Sequence, residues 1–447
     1  MTTEKFKKTI PQIPAIFANN LITKYYQSIN HAKSQGKFIC WINYGFPAGL
    51  LYAFENIFPI HPQLHAQFYA IRGKYTQMAN ALEGKWEVPK EICGDTKSVL
   101  GIALHENLMS LQVPDPDLLI TINAACFQAS QAFKVVNQYL GVPYHYIDMP
   151  ALLDKQPDVK YYDYVYHQLE EMIAGIETHF KLKFKEEKLI QAIQYAFQMH
   201  IVWEDILKLF QFSPVPMDGQ DLLLFFQPFT IAHLDVDNGE TLNMYISLYN
   251  ELYKKIEENK ISNKKEERYR ILWDLQPLFA KKNFIKRILM NHHAAVVMTT
   301  LMIPGLSITQ TNDLAFDYPL NVEQVKRRST ELLLSMAKVN SIDQIDRYKM
   351  MKLAAQTIFT NIDFRRSITY ICKKFKNLIN DYRIDAVIIN LNSSCTLISS
   401  IQTQVMSYIN DELKRPVLLL DANPVDDRCF SPAQVKNRIE AFMENME

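Results

Sequence analysis

Two short aliphatic runs, each followed by a cysteine, constrain this chain more than any other feature. Asp385-Ala-Val-Ile-Ile-Asn-Leu-Asn392 leads into Ser393-Ser394-Cys395, and Leu118-Leu-Ile-Thr-Ile-Asn123 leads into Ala124-Ala125-Cys126. Their length and β-branched content favour buried strands over helices. A thiol just past the carboxyl end of a core strand stands where α/β domains place their ligands. Two such units could grip one prosthetic group between them.

Further strands are expected at Lys37–Ile42, Ile57–Pro62, Gly141–Asp148, Tyr269–Asp274, Ala294–Thr300 and Pro416–Asp421, with helical patterns between them. Asp274 stands at the end of its strand. Alternation of this kind predicts parallel sheets covered on both faces. The expected fold is α/β, with two Rossmann-like or flavodoxin-like parallel-sheet domains flanked by helices, plus a helical middle region. Residues 1–36 read as a polar lead-in with a short amphipathic helix carrying Ile22, Tyr25, Tyr26 and Ile29 on one face. The first α/β domain covers 37–150, the helical domain or insertion 151–267, and the second α/β domain 268–447. The middle section is either a separate helical domain or a cover over the cleft between the sheets. Helices are expected from Ala48 to Asn56, from Thr96 to Leu111 and from Pro432 to Glu444, and Cys93 is placed in a loop.

The 447 residues carry 48 Lys+Arg against 48 Asp+Glu, so the basic excess of a nucleic-acid protein is missing. No apolar run reaches the roughly 18 residues that cross a bilayer, and the first residues are polar rather than signal-like. A reducing cytoplasm is the expected setting, where unpaired cysteines are core packing, metal ligands or catalytic thiols.

Of the six cysteines, Cys40 inside a strand and Cys372 between apolar helix neighbours read as core, and Cys429 falls in a polar loop. Cys93, Cys126 and Cys395 occupy loop or strand-end positions. Three thiolates suit zinc or an iron–sulfur centre and would leave one coordination position open; three packed or loop thiols remain the alternative. Nucleotide-cradling glycine loops, the H-E-x-x-H helix and the G-x-S-x-G elbow are absent. The adjacent His292-His293 reads as loop or surface. His61 and His65, four apart but split by Pro62, read as ordinary polar residues rather than a ligand pair.

Four stretches resemble the 2-hydroxyacyl-CoA dehydratase / benzoyl-CoA reductase family. They are Gly45-Phe-Pro-Ala-Gly-Leu-Leu-Tyr-Ala-Phe54 with Ile57-Phe-Pro-Ile-His-Pro62; Cys93 and Cys126 with their spacing; Tyr269-Arg-Ile-Leu-Trp-Asp274; and the closing run from the strand 385–392 through Cys395, Asp427-Arg428 and Ser431 to Phe442. The resemblance covers most of the chain and is poorest in the helical middle. It implies a [4Fe–4S] cluster held by Cys93, Cys126 and Cys395. It also implies a related second subunit, an ATP-dependent iron–sulfur activator delivering single electrons, and an acyl-CoA substrate passing through a ketyl radical. Gly94, Ser393 and Ser394 would flank the ligands. The reductase branch of the family reduces an aromatic ring instead, and a non-catalytic iron–sulfur partner subunit is a further possibility. Two departures stand out. Gln63 follows Pro62 where many members carry a glutamate, and Ser393 stands where many carry an arginine before Ser-Cys.

Overall fold

The computed structural model describes residues 10–106, 113–123, 126–152, 158–258, 267–303, 317–360, 366–392 and 394–447. Ala124, Ala125, Ser393 and the far end of the helix expected to reach Leu111 therefore lie outside the described residues.

The first sheet comprises β1 (Phe38–Ile42), β2 (Ile57–Ile60), β3 (Leu118–Ile122) and β4 (Tyr144–Ile147), in the order β2-β1-β3-β4. The second comprises β5 (Tyr269–Asp274), β6 (Ala294–Thr299), β7 (Ala386–Leu391) and β8 (Val417–Asp421), in the order β6-β5-β7-β8. All pairings are parallel. The two sheets thus repeat one topology without repeating a sequence. In both, the order reverses between the first strand and the third, so the crevice that doubly wound sheets use for ligands opens past β1/β3 and past β5/β7. The central strands β3 and β5 are buried throughout, as strands covered on both faces must be.

The helices follow in chain order: α1 (Gln12–Ala32), α2 (Gly49–Tyr52), α3 (His65–Ile71), α4 (Tyr75–Lys85), α5 (Gly94–Ala103), α6 (Phe127–Leu140), α7 (Val159–Phe180), α8 (Glu186–Leu209), α9 (Leu223–Ile231), α10 (Glu240–Glu257), α11 (Lys282–Asn291), α12 (Val322–Ala337), α13 (Arg347–Thr360), α14 (Ile368–Asp381), α15 (Thr396–Asp411) and α16 (Pro432–Glu444). Several differ from the sequence reading. α1 is a long helix, not a short one; its Tyr25, Tyr26 and Ile29 bury one face against the first sheet's outer core. The helix after Cys93 begins at Gly94 rather than Thr96. The helix near Ala48 shrinks to one turn, because the chain must return quickly into β2.

Each sheet carries apolar packing on both faces. One core, beneath the first sheet, gathers Ile120, Ile173 and Phe197 together with Leu333, Met351 and Ala355 from the later half of the chain. Another joins Leu272 and Val387 of the second sheet to Trp203, Phe225 and Tyr245 of the middle helices. α8 contributes to both cores and so ties the sheets together.

Candidate functional site

The crevice past the strand ends is a single large cavity of about 820 Å³. It lies well within the range of small-molecule sites. Its wall takes residues from all four switch-point strand ends: Tyr44 after β1, Cys126 after β3, Gln276 after β5 and Asn392 after β7. The side chain of Asn43 locks the first pair, accepting the N–H of Ile122 at 2.9 Å and donating to its carbonyl at 2.8 Å.

Cys93, Cys126 and Cys395 all line this cavity. Each is the N-cap residue of a helix, α5, α6 and α15 respectively. Cys93 lies in a loop, as expected, at the position that caps α5. The first-turn amides face the sulfurs: Asp95 for Cys93, Gln128 and Ala129 for Cys126, Leu397 and Ile398 for Cys395. The Ala129 amide donates to Cys126 Sγ at 3.3 Å. Three helix N-termini therefore direct first-turn N–H groups at the sulfurs and bring partial positive charge to one cavity. Burial pushes all three thiols above their ordinary range, Cys126 to about 11. The thiols also stand close enough for a thiolate on one to raise the next, Cys93 sensing both Cys126 and Cys395.

This donor set fits a cubane iron–sulfur cluster. Soft sulfur ligands, an anion-binding arrangement of amides and a desolvated pocket are what such a group needs. Among the described residues no three His, Cys, Asp or Glu side chains are grouped to hold one metal ion. Ligands of a cubane sit on different irons, so their sulfurs stand further apart than the ligands of a single ion.

Hydrogen bonds across the crevice hold the thiol-bearing segments in place. Gln276 Nε2 donates to Asp95 at 3.2 Å, and Gln128 Nε2 donates to the Ser394 carbonyl at 3.4 Å. Ser394 Oγ bonds Asn392 at 2.7 Å and accepts from Asn423 at 3.3 Å. Gly94 is needed for contact: a Cβ there would run into Val425 Cγ2. Gln63, buried, accepts the Tyr44 N–H at 3.0 Å and so pins the turn after β1.

Several cavity residues carry no marking in the sequence. His61 and His233 face each other edge to face with centroids 5.9 Å apart, and His61 stacks on Tyr44. His61 Nδ1 and His233 Nε2 are buried with no hydrogen-bond partner among the described residues. Burial lowers both rings, to about 4 and about 3, so both are neutral at neutral pH. The reading of His61 as an ordinary polar residue missed this, because its partner is contributed from far along the chain. Burial raises Asp95 to about 6. Asp274 accepts from Thr300 Oγ1 at 2.7 Å and Gln402 at 2.8 Å, and it faces Lys374, which burial lowers to about 8.

The fold and site define a class: a paired-sheet α/β protein whose two switch points share one thiol-lined crevice. Over residues 43–446 the chain matches the 2-hydroxyglutaryl-CoA dehydratase, D-component family, and it belongs to that family. It is 24% identical to the (R)-2-hydroxyisocaproyl-CoA dehydratase alpha subunit of Clostridioides difficile, over 97% of this chain and 96% of that one. It is 21% identical to the (R)-phenyllactyl-CoA dehydratase alpha subunit of Clostridium sporogenes, over 93% and 91%. A more distant relative is a benzoyl-CoA reductase chain of Thauera aromatica, 22% identical over 80% and 77%. Among the described residues no helix is long and apolar enough to cross a membrane.

Proposed function

We propose that this chain is the [4Fe–4S]-bearing subunit of a cytoplasmic 2-hydroxyacyl-CoA dehydratase, with Cys93, Cys126 and Cys395 as the cluster ligands. One observation carries the reading: three cysteines from both halves of the chain cap three helices that point into one cavity. The alpha-subunit relatives support a related partner subunit and an acyl-CoA substrate. When bound, the cluster would supply one-electron reduction of the thioester to a ketyl radical, with electrons from an ATP-dependent activator. The sheet-bearing segments 37–150 and 268–447 and α8 of the helical segment 151–267 together form the walls.

The chain's own residues have separate tasks. The helix N-termini hold negative charge, and the α8 wall excludes water. Loss of a hydroxyl needs a proton at the leaving oxygen and a base for the neighbouring carbon. Gln63 can do neither, and its amide is committed to Tyr44. Asp95, whose carboxyl burial raises, is a candidate to hold a proton, and the neutral imidazoles of His61 and His233 are candidates to accept one; all three line the cavity. The test is an anaerobic assay of the complex with partner and activator. Loss of the 2-hydroxyl, abolished by Cys395→Ala, is the expected result. Ring reduction of an aromatic thioester instead would place the chain on the reductase branch. Turnover that survives Cys395→Ala would make it a supporting subunit.

A further inference from the structure

Behind the wall that carries His61 and His233 lies a group of buried phenols and imidazoles that the chemistry above does not use. Tyr25 and Tyr26 come from α1, and His65 and Tyr69 from α3. The three phenol oxygens and both ring nitrogens of His65 are buried without a hydrogen-bond partner among the described residues, as are His61 Nδ1 and His233 Nε2. Leaving all seven of these atoms dry would cost as much as a fold's whole margin of stability. Internal water is the ordinary remedy where buried polar atoms gather. A gap of about 10 Å³ lies against Tyr25 and Tyr26, close to the room that one water needs. Thr230 borders both this gap and the main cavity.

The group runs from the cavity toward the surface. At its inner end Tyr44 and His61 line the cavity and stack with centroids 6.1 Å apart, and His61 meets His233 at 5.9 Å. Tyr26 is the hub, its ring 5.2 Å from Tyr25 and 5.5 Å from His65, both edge to face. Burial pushes the Tyr26 phenol up; nearby Tyr25, Tyr44 and Tyr69 add to the effect, and Arg72 opposes it. Its neighbours therefore include a cavity residue, Tyr44, and an exposed one, Arg72. His65 and Tyr69 are four apart at the start and end of α3, and Arg72 follows three later, so the three share one helix face. That face covers roughly 10 Å from His65 to the exposed end at Arg72.

We infer that this seam is a proton relay between the enclosed cavity and solvent, its hydroxyls and imidazoles joined by internal waters. Each member hands one proton on as it accepts another, so no charge rests in the apolar interior. The inference rests on the dehydratase reading proposed above and adds a route for its protons. In that reaction the C3–H bond breaks, its electron pair becomes the new C2–C3 π bond, and the proton leaves by the His61–His233 end. The C2–O bond breaks as well, and the departing hydroxyl takes up one proton to leave as water. No further reactant is consumed.

Tyr26→Phe and Tyr69→Phe each remove one oxygen and keep the ring. In the purified full chain, deleting a dry hydroxyl would raise the thermal midpoint; unchanged or lowered midpoints are expected, because water already partners these hydroxyls. A high-resolution crystal structure of the parent chain should show ordered waters bridging Tyr25, Tyr26 and His65. In the anaerobic complex with partner and activator, each variant should lose about 10-fold or more in kcat at unchanged KM, with a larger solvent deuterium isotope effect on kcat. Raised midpoints in both variants, a seam without ordered water, or a kcat and isotope effect equal to the parent's overturns the relay while leaving the dehydratase reading intact. A parent complex that dehydrates no 2-hydroxyacyl-CoA overturns that reading and the relay's task with it. The waters of the parent chain decide the matter if the variants fail to fold.

Discussion

At the scale of the residue, the site depends on small, buried choices. Gly94 follows the first thiol because Val425 leaves no room for a side chain. Gly94→Ala should cost about 1–3 kcal/mol by overpacking, read as a lowered thermal midpoint. Gly84, in α4 with open space around it, is the contrast; Gly84→Ala should gain roughly 0.5–1 kcal/mol from helix propensity. Asn43, fully buried, bonds both backbone groups of Ile122, and Asn43→Ala should cost about 1–3 kcal/mol for the orphaned partners. The histidines set an acid limit. Burial lowers His61 and His65 to about 4 and His233 to about 3, below their ordinary 6.5. The unfolded chain then binds more protons than the folded one between those values. Stability is thus complete above pH 6.5 and falls as pH drops toward 4. Denaturant titrations across pH 7 to 4 should show a midpoint that declines, and less so in a His65→Gln variant. A flat profile would contradict the buried neutral assignment.

At the scale of the element, the cap and the clamp matter most. Cysteine is a poor residue for capping a helix on propensity grounds, yet it caps α5, α6 and α15. Strand ends were readable from composition, and Cys126 and Cys395 with them. The cap at Cys93 was not, since no strand precedes it and Gly94 hides the helix start. A salt-bridge network fixes α5 to the second sheet. Arg428, just past β8, donates to Glu83 of α4 at 2.7 Å with both terminal nitrogens and to Asp426 at 2.6 Å, while the buried Lys97 of α5 bonds Glu83. Breaking one partner of such a network costs on the order of 3–5 kcal/mol, so Arg428→Met should destabilise strongly. It should also expose Cys93 to alkylation in the cluster-free protein. Unchanged labelling of Cys93 would show that the clamp does not position α5. Hydrogen bonds from Arg428 hold Glu83 down to about 2, with Lys97 adding to them. Its contribution is therefore present above about pH 4.5 and lost as pH falls toward 2.

At the scale of the whole molecule, the repeat of one sheet topology explains the site. Two reversals of strand order face a shared space, and each provides a thiol from its third strand. Alternating strand and helix patterns made the two parallel sheets legible in the sequence, because buried parallel strands read as continuous aliphatic runs. The role of the middle section was not legible. Periodicity shows that α8 has an apolar face, but not that part of this face looks into a cavity rather than at another helix. His61 and His233 met for the same reason unseen: long-range pairing leaves no local pattern. The central claim is that three thiols hold one inorganic core. Iron and acid-labile sulfide, counted per chain after anaerobic purification, test it most directly. About four of each is expected for a [4Fe–4S] cluster, falling away when Cys93, Cys126 or Cys395 is replaced by alanine but not when Cys40 or Cys372 is. A chain without iron, or one that keeps its full iron and sulfide after all three are replaced, would contradict the account.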